Sequence, residues 1–148
     1  MLRYVHTNII ARDAGKLIGF YKNVLGCRGI GEKRDLSGEW LDRMTGIPGA
    51  HIVGEHLCLP GYDDRRPTLE IFSYDRMEGT EPRRVNAYGY AHIAFEVDDV
   101  EATLKRVLEA GGGMAGELVH AEYADGRKAT FVYATDIEGN ILELQSWR

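Results

Sequence analysis

The stretch YVHTNIIARDAGKLIGFYKNVLG, Tyr4 to Gly26, decides the fold, because YAHIAFEVDDVEATLKRVLEAGG, Tyr90 to Gly112, aligns with it without a gap. Both run in one order: an aromatic, one residue, His, a strand-like segment, Asp, then a helix that ends at glycine. His6 and His92 lie 86 residues apart, as do Asp13 and Asp99, so the chain reads as two copies of one module. VHTNIIA and AHIAFEV alternate as half-buried strands do. Asp13 and Asp98 or Asp99 then offer N-caps. The segments Ala14 to Leu25 and Val100 to Ala110 space their apolar residues along one helical face, and Gly26 and Gly111 stop them.

The second landmark of each half is a Leu-Glu strand: TLEIFSY, Thr68 to Tyr74, and ILELQSW, Ile141 to Trp147. His to Glu spans 64 residues in the first half and 51 in the second; the extra 13 must fall between about Glu32 and Asp64. Further strand-like runs are His51 to Leu59 and Leu69 to Ser73, then Glu117 to Tyr123, Thr130 to Ala134 and Ile141 to Gln145. Asp136 to Asn140 reads as a hairpin turn between the last two. The polar segment Asp75 to Gly89, with Pro and Gly, reads as a linker. An α+β chain follows, in two modules over residues 1–80 and 81–148.

Composition narrows the function. Charged residues make up 28% of the 148 and the net charge is −5, so a nucleic-acid footprint, which would need a basic face, is not expected. No apolar run approaches the roughly 20 residues that cross a bilayer, and MLRYVHTNII lacks the features of a signal peptide, so a cytoplasmic protein is expected. Cys27 and Cys58 form no CxxC pair and read as reduced packing residues. The expected partners are small molecules and other subunits, with no nucleic acid and no membrane.

Strand parity places the chemistry. Ala91, Ile93, Phe95 and Val97 form an apolar face of their strand, which leaves His92 and Glu96 on the other; Leu142 and Leu144 likewise oppose Glu143. In the first half Leu69 and Ile71 oppose Glu70, and His6 shares a face with Asn8 opposite Val5 and Ile9. A lone strand His or Glu is usually just solvated. Recurrence of the set at matched places in two repeats points instead to a site. Two imidazoles and two carboxylates suit a divalent cation whose remaining octahedral positions stay open. Such an ion would act as a Lewis acid on a substrate with two neighbouring oxygens, stabilising an enediolate while a carboxylate moves the proton.

On these residues, together with the closing TDIEGNILELQSW, the sequence resembles the vicinal oxygen chelate superfamily of glyoxalases, epimerases, fosfomycin and bleomycin resistance proteins and extradiol dioxygenases. The resemblance spans essentially the whole chain. It implies two βαβββ modules with paired curved mixed sheets, helices outside, one domain overall, and a metal held by His6, Glu70, His92 and Glu143. That set is similar to bacterial-type glyoxalase I, which favours nickel or cobalt; a two-nitrogen, two-oxygen open site also accepts zinc, manganese or iron. In that family the last glutamate is also the base, a role that falls here on Glu143, shared with Glu70. The resemblance also implies subunit pairing, so a homodimer is expected. Where glyoxalase I carries an arginine and an asparagine for glutathione, four residues after the first and second ligands, this chain has Ile10 and Tyr74, which argues against lactoylglutathione lyase activity.

The longer segment Asp35 to Gly61 is the expected place for substrate selection. Trp40, Leu41 and Met44 could wall a pocket, or form a packing lid or subunit contact. Leu57 and Leu59 look core-facing, which turns His56 and Cys58 towards the cleft and makes His56 a candidate substrate-binding residue and second acid or base. Gly111, Gly113 and Gly116 spell GxGxxG, but a helix precedes them, so they read as a helix stop and turn. The expectation is a metal-dependent, glyoxalase-like lyase or isomerase. The alternatives are an iron-dependent ring-cleaving dioxygenase and a metal-containing binding or resistance protein.

Overall fold

A computed structural model describes residues 1–62, 67–79 and 83–148. Its internal contacts divide the chain into two units, Met1–Gly79 and Thr80–Arg148. The boundary expected at residues 80 and 81, the middle of the linker, and Asp64, the far bound of the 13 extra residues, lie outside the described residues.

The first unit runs β1 (His6–Ile10), α1 (Ala14–Leu25), β2 (Arg28–Ser37), α2 (Glu39–Thr45), β3 (His51–Cys58) and β4 (Thr68–Tyr74). Its sheet has the order β1-β4-β3-β2, with β1 parallel to β4 and the other pairs antiparallel. The parallel pair follows from the helix between β1 and the rest, since parallel strands need a crossover. Asp13 caps α1 by accepting from the Lys16 backbone N–H at 3.0 Å, and Gly26 ends it in the left-handed region at φ 72°. The Ser73 hydroxyl accepts from the Ala14 N–H at 2.9 Å and donates to the Ala11 carbonyl at 2.7 Å, which ties the start of α1 to β4. Leu17 and Tyr21 of α1 and Leu57, Leu69 and Ile71 of the sheet are all but fully buried. The odd-numbered side of β3 and β4 is therefore the covered face, and Glu70 points the other way.

The second unit repeats the plan as β5 (His92–Glu96), α3 (Val100–Glu109), β6 (Gly113–Met114), β7 (Val119–Glu122), β8 (Lys128–Thr135) and β9 (Ile141–Trp147). The order is β5-β9-β8-β6, with β7 also paired to β8 and β5 parallel to β9. Asp99, not Asp98, is the cap of α3, accepting from the Ala102 N–H at 2.8 Å. The helix stops one residue short of the expected Ala110, which forms its C-cap. The turn between β8 and β9 is held by the buried Asp136, whose carboxylate accepts from the backbone N–H groups of Glu138 and Asn140 and from the Asn140 side chain at 2.7 to 3.0 Å.

Two elements of the first unit escape the sequence pattern. β2 is an edge strand with one neighbour, so RGIGEKRDLS is mostly exposed and shows no apolar alternation. Its register against β3 shifts between Ile30 and Arg34; at the corresponding place the second unit breaks into β6 and β7. α2 lies between Gly38 and Gly46 with one buried residue, Leu41, too little for a periodic face, and it falls within the longer segment of the first half.

Candidate active site

In the first unit β1 and β4 place Asn8 opposite Glu70, which puts His6 one same-face position away from that carboxylate. His6 Nε2 stands 3.1 Å from Glu70 Oε2, and the Asn8 amide donates to the same oxygen at 3.4 Å. β3 brings a third polar group, since His56 is the direct cross-strand partner of Glu70. His56 Nε2 lies 2.5 Å from Glu70 Oε1, and its Nδ1 is 3.4 Å from the Thr68 hydroxyl. Burial pushes the His56 imidazole below its usual range; the charges of Arg34 and His6 add to this, against Glu70. His56 thus meets Glu70 through Nε2 and the Thr68 hydroxyl through Nδ1. The Glu70 side chain is only 11% exposed, so these donors replace the water it has lost.

The second unit repeats the pair in the same register. Ala94 faces Glu143, His92 is again one same-face position away, and His92 Nε2 lies 3.0 Å from Glu143 Oε2. The third position differs: the residue opposite Glu143 is Tyr133, whose ring packs on His92 with centroids 5.0 Å apart. Glu143 Oε1 therefore has no hydrogen-bond or ion-pair partner among the described residues. Glu143 opens on a concavity of about 320 Å³ lined by Glu117, Val119, Phe131, Val132 and Tyr133.

Beside the first pair the open face of the sheet is partly covered. Leu41 of α2 buries itself against Ala50, Ile52 and Phe72, with Leu36 and Tyr74 packed on the group. Trp40 and Met44 are on the exposed side of α2, 53% and 69% accessible. Arg34 pairs with Gly54, so it shares the face of His56 and Glu70 and is half-buried there.

A profile of the Glyoxalase/Bleomycin resistance protein/Dioxygenase superfamily matches residues 3–144. The chain belongs to that superfamily. A lactoylglutathione lyase of Neisseria meningitidis is 28% identical over 141 residues, 88% of this chain and 90% of the relative. An ethylmalonyl-CoA/methylmalonyl-CoA epimerase of Cereibacter sphaeroides is 25% identical over 149 residues, 97% and 96% of the two chains. Among solved structures, a glyoxalase family protein of Bacillus cereus superposes with a TM-score of 0.81 at 23% identity, covering 99% of this chain and 95% of that one. A fosfomycin resistance protein of Listeria monocytogenes, solved with Mn(II) and a dihydroxypropylphosphonic acid, does so at 0.57 and 16% identity, covering 97% and 91%. The fold is that of glyoxalase-type proteins.

For this superfamily member, the donor chemistry can be set against a divalent ion. Two ligands about 2.1 Å from one cation and about a right angle apart lie about 3 Å from each other. The His–Glu pairs, at 3.1 and 3.0 Å, have that spacing, and each supplies one nitrogen and one oxygen donor. Among the described residues no three His, Cys, Asp or Glu side chains are grouped to hold a metal by themselves.

The structure thus joins His6 to Glu70 and His92 to Glu143, and adds His56 to the first pair. Trp40 and Met44 are displayed on solvent rather than joined to either pair, and Cys58 is buried, its thiol directed at the Leu59 and Tyr62 carbonyls. Sequence reasoning passed over Arg34 and Tyr133. Tyr133 could have been found by counting back from the hairpin turn, which sets it opposite Glu143; Arg34 could not, because the register shift in β2 hides its face.

Proposed function

We propose that this protein is a divalent-metal-dependent lyase or isomerase of the glyoxalase type, with His6, Glu70, His92 and Glu143 as the metal-binding set. The observation that carries the reading is the repetition of one His–Glu pair, in the same register on the same parallel strand pair, in both units. Relatives named as a lyase and as an epimerase support the reaction class. When bound, the ion would supply a Lewis acid for two neighbouring substrate oxygens, with nickel or cobalt favoured. The donors come from both modules, acting as one domain, within one copy of the chain or across a homodimer.

The chain's own groups divide the remaining work. Glu70 is held at both oxygens, by His56 on one side and by His6 and Asn8 on the other, which suits a fixed ligand. Glu143 has one oxygen beside His92, the other without a partner among the described residues, and it lines the concavity, which suits a base that takes a proton from carbon beside a carbonyl and returns it. Tyr74 is packed in the cluster around Leu41, which supports a substrate other than a glutathione adduct.

Metal analysis by mass spectrometry tests the reading. Untagged protein loaded with nickel or cobalt should hold about one equivalent per donor set, and Glu70→Ala should lose most of it while remaining folded by circular dichroism. Wild-type protein that takes up no nickel, cobalt, manganese, iron or zinc would end the proposal.

A further inference from the structure

Arg34 is a half-buried cation with no ion-pair or hydrogen-bond partner among the described residues. Strand pairing fixes where it points. Arg34 is opposite Gly54, Gly54 is two residues from His56, and His56 is opposite Glu70, so all of these share the open face of the first sheet. Leu36, the next residue on the same side of β2, packs in the cluster with Ile52 and Phe72, which confirms the direction. The two lysines close to Glu55 are on the opposite face and are engaged there, Lys22 at 2.5 Å and Lys33 at 3.7 Å.

A guanidinium withdrawn from water without a counter-charge costs stability unless something else supplies the charge. Its planar fork of donors matches a carboxylate or a phosphonate, which bind it through two parallel hydrogen bonds. The second unit shows that the module does not require a cation here. The equivalent rung, two residues before Tyr133, pairs Phe131 with Val119. Arg34 is therefore a feature of the first unit, next to His56 and one strand beyond it.

We propose that Arg34 binds an oxyanion of the substrate, a carboxylate or phosphonate group set a few bonds away from the neighbouring oxygens that meet the His6 and Glu70 side of the site. The substrate class is then a small anion with vicinal oxygens, and Arg34 is its specificity residue. This rests on the metal-dependent reading of the same face.

Paired hydroxamates test it, because each offers two neighbouring oxygens to a metal and only one carries the anion. On nickel-loaded wild type, calorimetry should show phosphonoacetohydroxamate bound about tenfold or more tightly than acetohydroxamate. Arg34→Ala should bring that ratio to about one and leave acetohydroxamate binding as it was; Arg34→Met serves if the alanine variant does not fold. A carboxylate-bearing hydroxamate in the same series tells which oxyanion the arginine prefers. Equal affinities in wild type, or a preference that survives in the variant, overturn the proposal. If neither hydroxamate binds because the metal reading fails, metal-free protein is titrated with methylphosphonate and with acetate. Binding of either that Arg34→Ala abolishes upholds the oxyanion site on its own, and no binding by wild type overturns it.

Discussion

Glu70 and Glu143 occupy equivalent rungs, but the residue opposite each differs, and that difference separates their expected behaviour. His56 holds the free oxygen of Glu70, whereas Tyr133 leaves the corresponding oxygen of Glu143 open. Glu143→Gln should lower kcat by about 10²–10⁴-fold, the usual share of a general base, in a proton-exchange or isomerisation assay. His56→Ala should instead act through Glu70, weakening nickel affinity about 10–100-fold, as loss of a group that orients a ligand does. Activity untouched by Glu143→Gln would remove it as the base. The thiols are a contrast: Cys27 is buried and its pKa is pushed up to about 12, so a disulfide reagent at pH 8 should modify it only after unfolding.

At the scale of elements, α2 is fastened by one side chain. Leu41→Ala should destabilise the first unit by about 2–5 kcal/mol in urea unfolding, whereas Trp40→Ala and Met44→Ala should each stay within about 0.5 kcal/mol. A second fastening joins β2 to the residue after β4 through His51, whose Nε2 is 2.6 Å from Asp35 and whose Nδ1 is 2.8 Å from Asp75. Those two carboxylates, Asp35 foremost, raise the His51 pKa. The raised value belongs to the folded state, so the stabilisation is complete below about pH 6.5 and disappears as pH rises through the folded pKa. His51→Gln should flatten that part of the stability–pH curve; an unchanged slope would refute the assignment. Strong periodicity made β1, α1, β5, α3 and the Leu-Glu strands readable, and the glutamate and histidine faces with them. β2 and α2 were not, because an edge strand and a seven-residue helix bury too little to impose a pattern. Asn8 was legible from parity, but the contact of His56 with Glu70 needed the β3–β4 register, which the chain between those strands does not reveal.

For the whole molecule, the proposed four-residue set predicts that metal and stability are linked. Nickel at about 100 times its Kd should stabilise the protein by about 2.7 kcal/mol, and chelation should reverse that in a thermal melt. His6→Ala and His92→Ala should each abolish the effect, although they lie in different units. Among the described residues no helix is long and apolar enough to cross a membrane. The matched rungs carry one more implication, which concerns descent and engineering. Because both sheets use the same register, the pair of donors and the pair of neighbouring rungs can change independently: one copy carries Arg34 and His56, the other Val119 and Tyr133, around the same His–Glu geometry. A doubled module of this kind can acquire a new ligand preference by drift in one half while the other preserves the old chemistry, and a library confined to those four positions would search that space directly.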